Sequence, residues 1–173
     1  MCLFLGREDD YRRARRELLD RFAASTDRFV AERTGRACLL FPASKDELRM
    51  ASALIDRAVG PENAPRNWAY PYFLFAKGLA DYRAGRFDDA IAVMEGNTPR
   101  GLGPSPRLVL ALALHQKGQK EQAVQALAAA VASYDWSAAR ANEVDAWIAH
   151  ILRREAEALI LPKPRQGAPL EQE

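Results

Sequence analysis

The sequence predicts an all-α protein built from antiparallel helix pairs. Apolar residues recur at spacings of three and four along most of the chain, whereas the alternating β-branched runs that predict strands are scarce. Short stretches rich in proline and glycine interrupt this pattern at helix-length intervals. Two segments also match each other at a constant offset, which is typical of a helical repeat. A composition of 49% apolar and 28% charged residues suits a soluble globular domain.

Four helices are predicted in the first half of the chain. They cover about 8–24, 27–40, 44–58 and 69–84. Asp27 is a suitable N-cap for the second helix, which Pro42 terminates. Ser44 and Glu47 have the spacing of a capping box at the start of the third helix. Pro71 falls in the first turn of the fourth helix, where its missing amide has no helical partner.

The second half predicts four more helices. They cover about 87–95, 105–118, 120–133 and 138–161. Ser105 is the predicted N-cap of the sixth helix, with Pro106 at its first position. The segments 60–66 and 96–104 are predicted loops, and the polar tail 162–173 is expected to be disordered.

The repeat is defined by residue pairs of similar type at an offset of 33 residues. These pairs are Gly78/Ala111, Leu79/Leu112, Ala80/Ala113, Gly85/Gly118, Ala90/Ala123, Ile91/Val124 and Met94/Leu127. Small residues before and after a turn glycine allow two antiparallel helices to approach closely. An ankyrin unit of similar length would carry a Thr-Pro-Leu-His turn, which is absent at the corresponding places. The pattern therefore predicts a tetratricopeptide-like α-solenoid.

Weaker copies lie upstream, since Gly6 precedes Tyr11 as Gly85 precedes Ala90. We predict one domain over 1–161, with about three repeats. Its units span about 1–24, 27–59, 69–96 and 105–134, followed by a capping helix over 138–161. Residues 3–5 are interpreted as the end of a truncated helix, so the sequence is expected to begin inside a repeat, as a truncated reading frame or a fragment. An N-terminal repeat left open in this way could pair with a second copy of the chain.

Four segments resemble the tetratricopeptide-type C-terminal region of large bacterial serine/threonine protein kinases. They are Phe29-Val-Ala-Glu-Arg33, Ala76-Lys-Gly-Leu-Ala80, Tyr82-Arg-Ala-Gly-Arg-Phe87 and Leu152-Arg-Arg-Glu-Ala-Glu-Ala158. The sequence contains no glycine-rich nucleotide loop, His-Arg-Asp or Asp-Phe-Gly motif. The resemblance implies the interaction end of such a protein, with a kinase domain in cis, or a stand-alone relative.

Solenoids of this type bind peptides or partner domains on the concave surface lined by the first helix of each pair. That geometry predicts a binding face formed by Tyr72, Phe75, Leu79, Tyr82, Leu108, Leu112 and His115. Its apolar character argues against a clamp for chaperone C-terminal carboxylates and favours an apolar or aromatic anchor on the partner. The alternative is that many of these residues simply pack between repeats.

No catalytic, cofactor-binding or metal-binding residues are predicted. His115 and His150 lie outside any zinc or nucleophile motif, and Cys2 and Cys38 lack metal-ligand spacing. We expect a cytoplasmic protein, because neither a secretory signal nor a membrane span is recognisable.

A net charge of +2 favours neither nucleic acid nor a membrane as partner. The arginine cluster of the first helix contains Arg12, Arg13, Arg15 and Arg16. Interspersed acids make a solvated helix face the better interpretation of this cluster. The tryptophans Trp68, Trp136 and Trp147 are expected to seal loops against helices rather than stack on bases. A protein-interaction scaffold is therefore the first hypothesis; a non-catalytic subunit of a multi-protein enzyme and a nucleic-acid-binding repeat are the alternatives.

Overall fold

Eight α-helices make up the regular secondary structure of the described residues in a computed structural model of the chain. The structure describes residues 1–60, 68–96, 102–137 and 143–162. The helices are α1 (Glu8–Phe22), α2 (Arg28–Cys38), α3 (Lys45–Val59), α4 (Tyr70–Arg83), α5 (Phe87–Gly96), α6 (Ser105–Gln116), α7 (Lys120–Ala132) and α8 (Val144–Ile160). The predicted all-α class is therefore confirmed for these ranges.

Two helix starts follow the predicted capping chemistry. The Asp27 carboxylate accepts the backbone amides of Phe29 and Val30 at 2.8 and 3.0 Å. At α3, the Ser44 hydroxyl accepts the Glu47 amide while the Glu47 carboxylate accepts the Ser44 amide. Both caps depend on residues within three positions of each other, so the sequence pattern is enough to predict them.

The start of α6 differs from its prediction by one residue. Ser105 is the first helical residue rather than the N-cap, and Pro104 takes the capping position without a side-chain hydrogen bond. The physical reason is that the Pro104 carbonyl already accepts the Leu108 amide at 3.0 Å, which places the first intrahelical bond one residue earlier.

Three turns share one backbone geometry, at Gly6, Gly85 and Gly118. Each glycine has a positive φ, of 72°, 75° and 80° respectively. In each turn the amide of the following residue bonds the carbonyl five positions earlier, and the glycine amide bonds the carbonyl three positions earlier. This is a Schellman motif, which favours glycine because a Cβ is strained at positive φ. The predicted turns at Gly85 and Gly118 are therefore confirmed, and Gly6 adopts the same turn.

The helices pack in an ordered succession. Each helix contacts the next one along the chain, and α2, α4 and α6 also contact one another in sequence order. The main core lies between the packed helices and contains large buried side chains such as Phe73, Leu54 and Leu152. We call the side of α2, α4 and α6 that faces α8 the inner face.

Several predicted segments lie partly or wholly outside the described residues. They are the loops at 61–67 and 97–101, the start of the eighth helix at 138–142, and the tail from 163 onward. Glu143 is extended, so α8 begins at Val144. Within the described ranges, none of the helices has both the length and the apolarity needed to cross a membrane.

Candidate functional site

The C-terminal helix α8 lies against the inner face and is held there by ion pairs. Arg83 of α4 forms a bidentate ion pair with Glu155 of α8, in which Nη2 donates to Oε2 at 2.6 Å. Tyr82 also donates its hydroxyl proton to Glu155, at 3.1 Å. At the other end of α8, Arg36 of α2 reaches Asp145 at 3.4 Å. Because these pairs connect α8 to both α2 and α4, the helix is anchored along its length.

The N-terminal residues complete this arrangement. Arg154 of α8 donates to the Phe4 carbonyl at 2.9 Å, and the Phe4 ring meets the His150 ring edge-on at 5.5 Å. Trp136 approaches the same imidazole at 5.1 Å. Burial lowers the pKa of His150, and the charges of Arg154 and Arg153 lower it further. His150 therefore serves here as a packing residue between two aromatic rings.

The seven predicted binding residues divide into two groups. Five of them are buried, namely Phe75, Leu79, Tyr82, Leu108 and Leu112. Tyr72 and His115 are partly accessible. The five buried positions fit the alternative interpretation, in which many of these side chains pack inside the fold. A partner that binds to this surface would therefore contact other residues first.

Part of the inner face remains open as a cavity of about 640 Å³ between α2, α4 and α8. We call this cavity the inner groove. Tyr72 belongs to its lining, together with Met1, Phe29, Arg33, Arg36, Leu40, Trp68, Trp147 and Ile148 among others. Three of its lining residues are large apolar side chains with high exposure: Trp68 at 76%, Met1 at 67% and Val144 at 63%. Apolar side chains are therefore accessible around the groove.

The wall formed by α2 and α4 is aromatic. Phe29 stacks on Trp68 with ring centroids 6.4 Å apart and meets Phe73 edge-on at 5.8 Å. Trp68 in turn contacts Tyr72 edge-on at 6.3 Å. Much of the Trp68 surface stays accessible beside these contacts. Rigid aromatic side chains of this kind are common anchors in binding sites because they bury a large area at small entropic cost.

The charges of the inner groove are unevenly compensated. Glu32 is 3% exposed, and burial raises its pKa while Arg36 offsets part of the rise. Arg36 bonds Glu32 at 2.5 Å and also pairs with Asp145. Arg33, which is exposed, forms neither an ion pair nor a hydrogen bond within the described part of the chain. The groove thus presents one arginine whose charge has no paired carboxylate in those ranges.

The arginine cluster of α1 has a different arrangement. Arg12 and Arg13 pair with acidic residues three or four positions earlier on the same helix. Arg15 is buried and forms a bidentate pair with Glu47 at 3.1 and 2.8 Å. Arg16 is exposed. Most of the cluster is therefore engaged within the fold.

Sequence reasoning identified Tyr72 but missed most of the inner groove. The sequence predicts that Trp68 and Trp147 seal loops, and it predicts no binding role for Phe29 and Arg33. The spacing of four residues between Glu32 and Arg36 does predict an ion pair on one helix. If Glu32 pairs with Arg36, it is not available to pair with the adjacent Arg33. The opposite wall on α8 has no local signal, because it depends on how α8 packs.

Comparison of the chain with protein-family models, with curated proteins and with solved structures gave no match. The interpretation of the site therefore rests on its geometry.

Proposed function

We propose that the protein is a non-catalytic interaction module with a tetratricopeptide-like arrangement, which binds a peptide segment of a partner protein in the inner groove. The observation that carries this proposal is the open cavity on the inner face, which has an aromatic wall and exposed apolar side chains in its lining. Concave sites with apolar walls and few polar groups are the usual places of ligand binding.

The repeated turns support the solenoid part of the proposal. The Schellman glycines Gly85 and Gly118 are each followed five residues later by a fully buried alanine, Ala90 and Ala123. Gly6 is followed at the same distance by the buried Tyr11. The contacts of α2, α4 and α6 with one another are also those expected when successive helix pairs stack.

Selection from a displayed library of random peptides tests the function. We expect wild-type protein to enrich peptides whose binding is lost in the Trp68→Glu variant, because a carboxylate would be placed in the aromatic wall. Trp68 is a better test position than Phe75 or Leu112, since those two side chains are buried and their replacement by glutamate would disrupt the core. Trp147→Glu probes the opposite wall in the same way.

Val124→Glu is the matched control, because Val124 is an exposed apolar residue on α7 that does not line the inner groove. Peptides selected on wild type should bind this variant with unchanged affinity. Circular dichroism would establish that each variant is folded. The proposal is wrong if no peptide is enriched, or if the enriched peptides bind folded Trp68→Glu and Trp147→Glu as they bind wild type.

A further inference from the structure

We infer that the inner groove selects peptides in which an apolar or aromatic residue is flanked by an acidic side chain, and that Arg33 binds the carboxylate of that side chain. This inference rests on the proposed function and adds the chemistry of the partner. It follows from the distribution of charge among the residues that line the groove.

The charged residues of the groove other than Arg33 are already engaged. Glu32 is buried beneath Arg36, and Arg36 lies between the Glu32 and Asp145 carboxylates. A guanidinium held by two carboxylates has little capacity left for a third anion. The Asp145 carboxylate pairs with the same guanidinium at a longer distance of 3.4 Å, and its side chain is 46% exposed, so Arg36 compensates its charge in part.

Arg33 differs because it is exposed and lacks an ion-pair partner within the described ranges. It follows Glu32 directly on α2 and shares the groove lining with Phe29, one helical turn away. A ligand that places an apolar group against Phe29 and Trp68 would therefore bring neighbouring atoms close to Arg33. A carboxylate at that point would gain a charge-assisted hydrogen bond, whereas an ammonium group would be repelled.

The size and form of the groove favour a peptide over an enclosed small molecule. A volume of about 640 Å³ is within the range of ordinary ligand sites. The strong exposure of the lining residues Met1, Trp68 and Val144 would allow a longer chain to continue beyond the cavity. An extended peptide advances roughly 3.3 Å per residue, so an acid one or two positions from the anchor lies within reach of an arginine side chain.

The test uses three synthetic pools of nine-residue peptides, each with a central leucine, phenylalanine or tryptophan. The flanking positions carry glutamate in the first pool, glutamine in the second and lysine in the third. We expect wild type to bind the glutamate pool about two- to fivefold more tightly than the lysine pool, as for an exposed ion pair. Arg33→Glu should reverse this order, and raising the salt concentration should reduce the wild-type preference.

Arg16→Glu is the matched control, because it makes the same charge change at an exposed arginine of α1 that does not line the groove. It should leave the order of the pools unchanged. If wild type binds the three pools equally and Trp68→Glu binds none of them, the acidic preference is wrong but the peptide-binding function stands. Binding of none of the pools would overturn both. Binding of N-acetyl-tryptophan as tightly as the peptides would identify a small aromatic acid as the occupant and also overturn the inference.

Discussion

Replacing Arg83 by methionine should destabilise the protein more than any exposed arginine substitution. The Arg83 side chain is 5% exposed and connects three parts of the fold. It donates to the carbonyls of Leu39 and Leu40 at 2.8 and 3.0 Å and forms the bidentate pair with Glu155. Methionine has a similar length and fills much of the same space, so the change mainly removes donors and charge.

The size of the effect follows from what the substitution leaves behind. Glu155, which is 19% exposed, would keep its charge without a cation beside it, and two backbone carbonyls would lose their donors. Breaking a buried pair by removing one partner costs about 3 to 5 kcal/mol. Because Glu155 and Leu40 retain some access to water, we expect the lower end, about 3 kcal/mol. For a chain of this length that corresponds to a melting temperature lower by roughly 6 to 12 °C.

Urea unfolding followed by circular dichroism measures this loss directly. Arg49→Met is the control, because Arg49 pairs with Asp46 on a fully exposed helix surface and should lose less than about 0.5 kcal/mol. Adding Glu155→Gln to Arg83→Met should recover part of the stability, since the uncompensated charge is removed. If Arg83→Met costs no more than Arg49→Met, the view of α8 as anchored by this pair is wrong.

Two further predictions concern helix packing and pH. Gly35→Ala should cost about 1 to 2 kcal/mol in urea unfolding, because the new Cβ would lie 2.6 Å from Ile55 Cγ1 and 2.9 Å from the Ala51 carbonyl oxygen. Gly78→Ala should stay within about 1 kcal/mol of wild type, because the atom nearest to the new Cβ is the terminal methyl group of the flexible Met94 side chain and its other neighbours lie at 3.4 Å or more. Burial works against the charge of Glu47, but hydrogen bonds from Ser44 and Arg15 outweigh it and lower the Glu47 pKa below its ordinary value of 4.5. A lowered pKa stabilises the fold above pH 4.5 and ceases to do so as the pH falls through the folded-state value. Glu47→Gln should therefore cost about 1 kcal/mol at pH 7. The difference between its unfolding midpoint and that of wild type should shrink as the pH falls below 4.5, and a difference that does not change with pH would contradict this assignment.

Local features were predictable to the residue, or nearly so, because their causes lie within a few positions. The cap at Asp27 and the turns at Gly85 and Gly118 involve hydrogen bonds spanning at most five residues. The start of α6 shows the limit of this reasoning. Ser105 and Pro104 both suit a helix start, and only the position of the first carbonyl bond distinguishes them.

By itself, the sequence determined the helices, most of their ends and the repeated turns, since periodicity and capping act locally. Only the tertiary structure decided that α8 lies on the inner face, because the Arg83 and Glu155 partners are 72 residues apart and no spacing rule joins them. The same packing decided that Phe75 and Leu112 are buried, and that Trp68 and Arg33 share an open groove. Amphipathic periodicity identifies which side of a helix is apolar, but whether that side meets another helix or a partner depends on the whole chain.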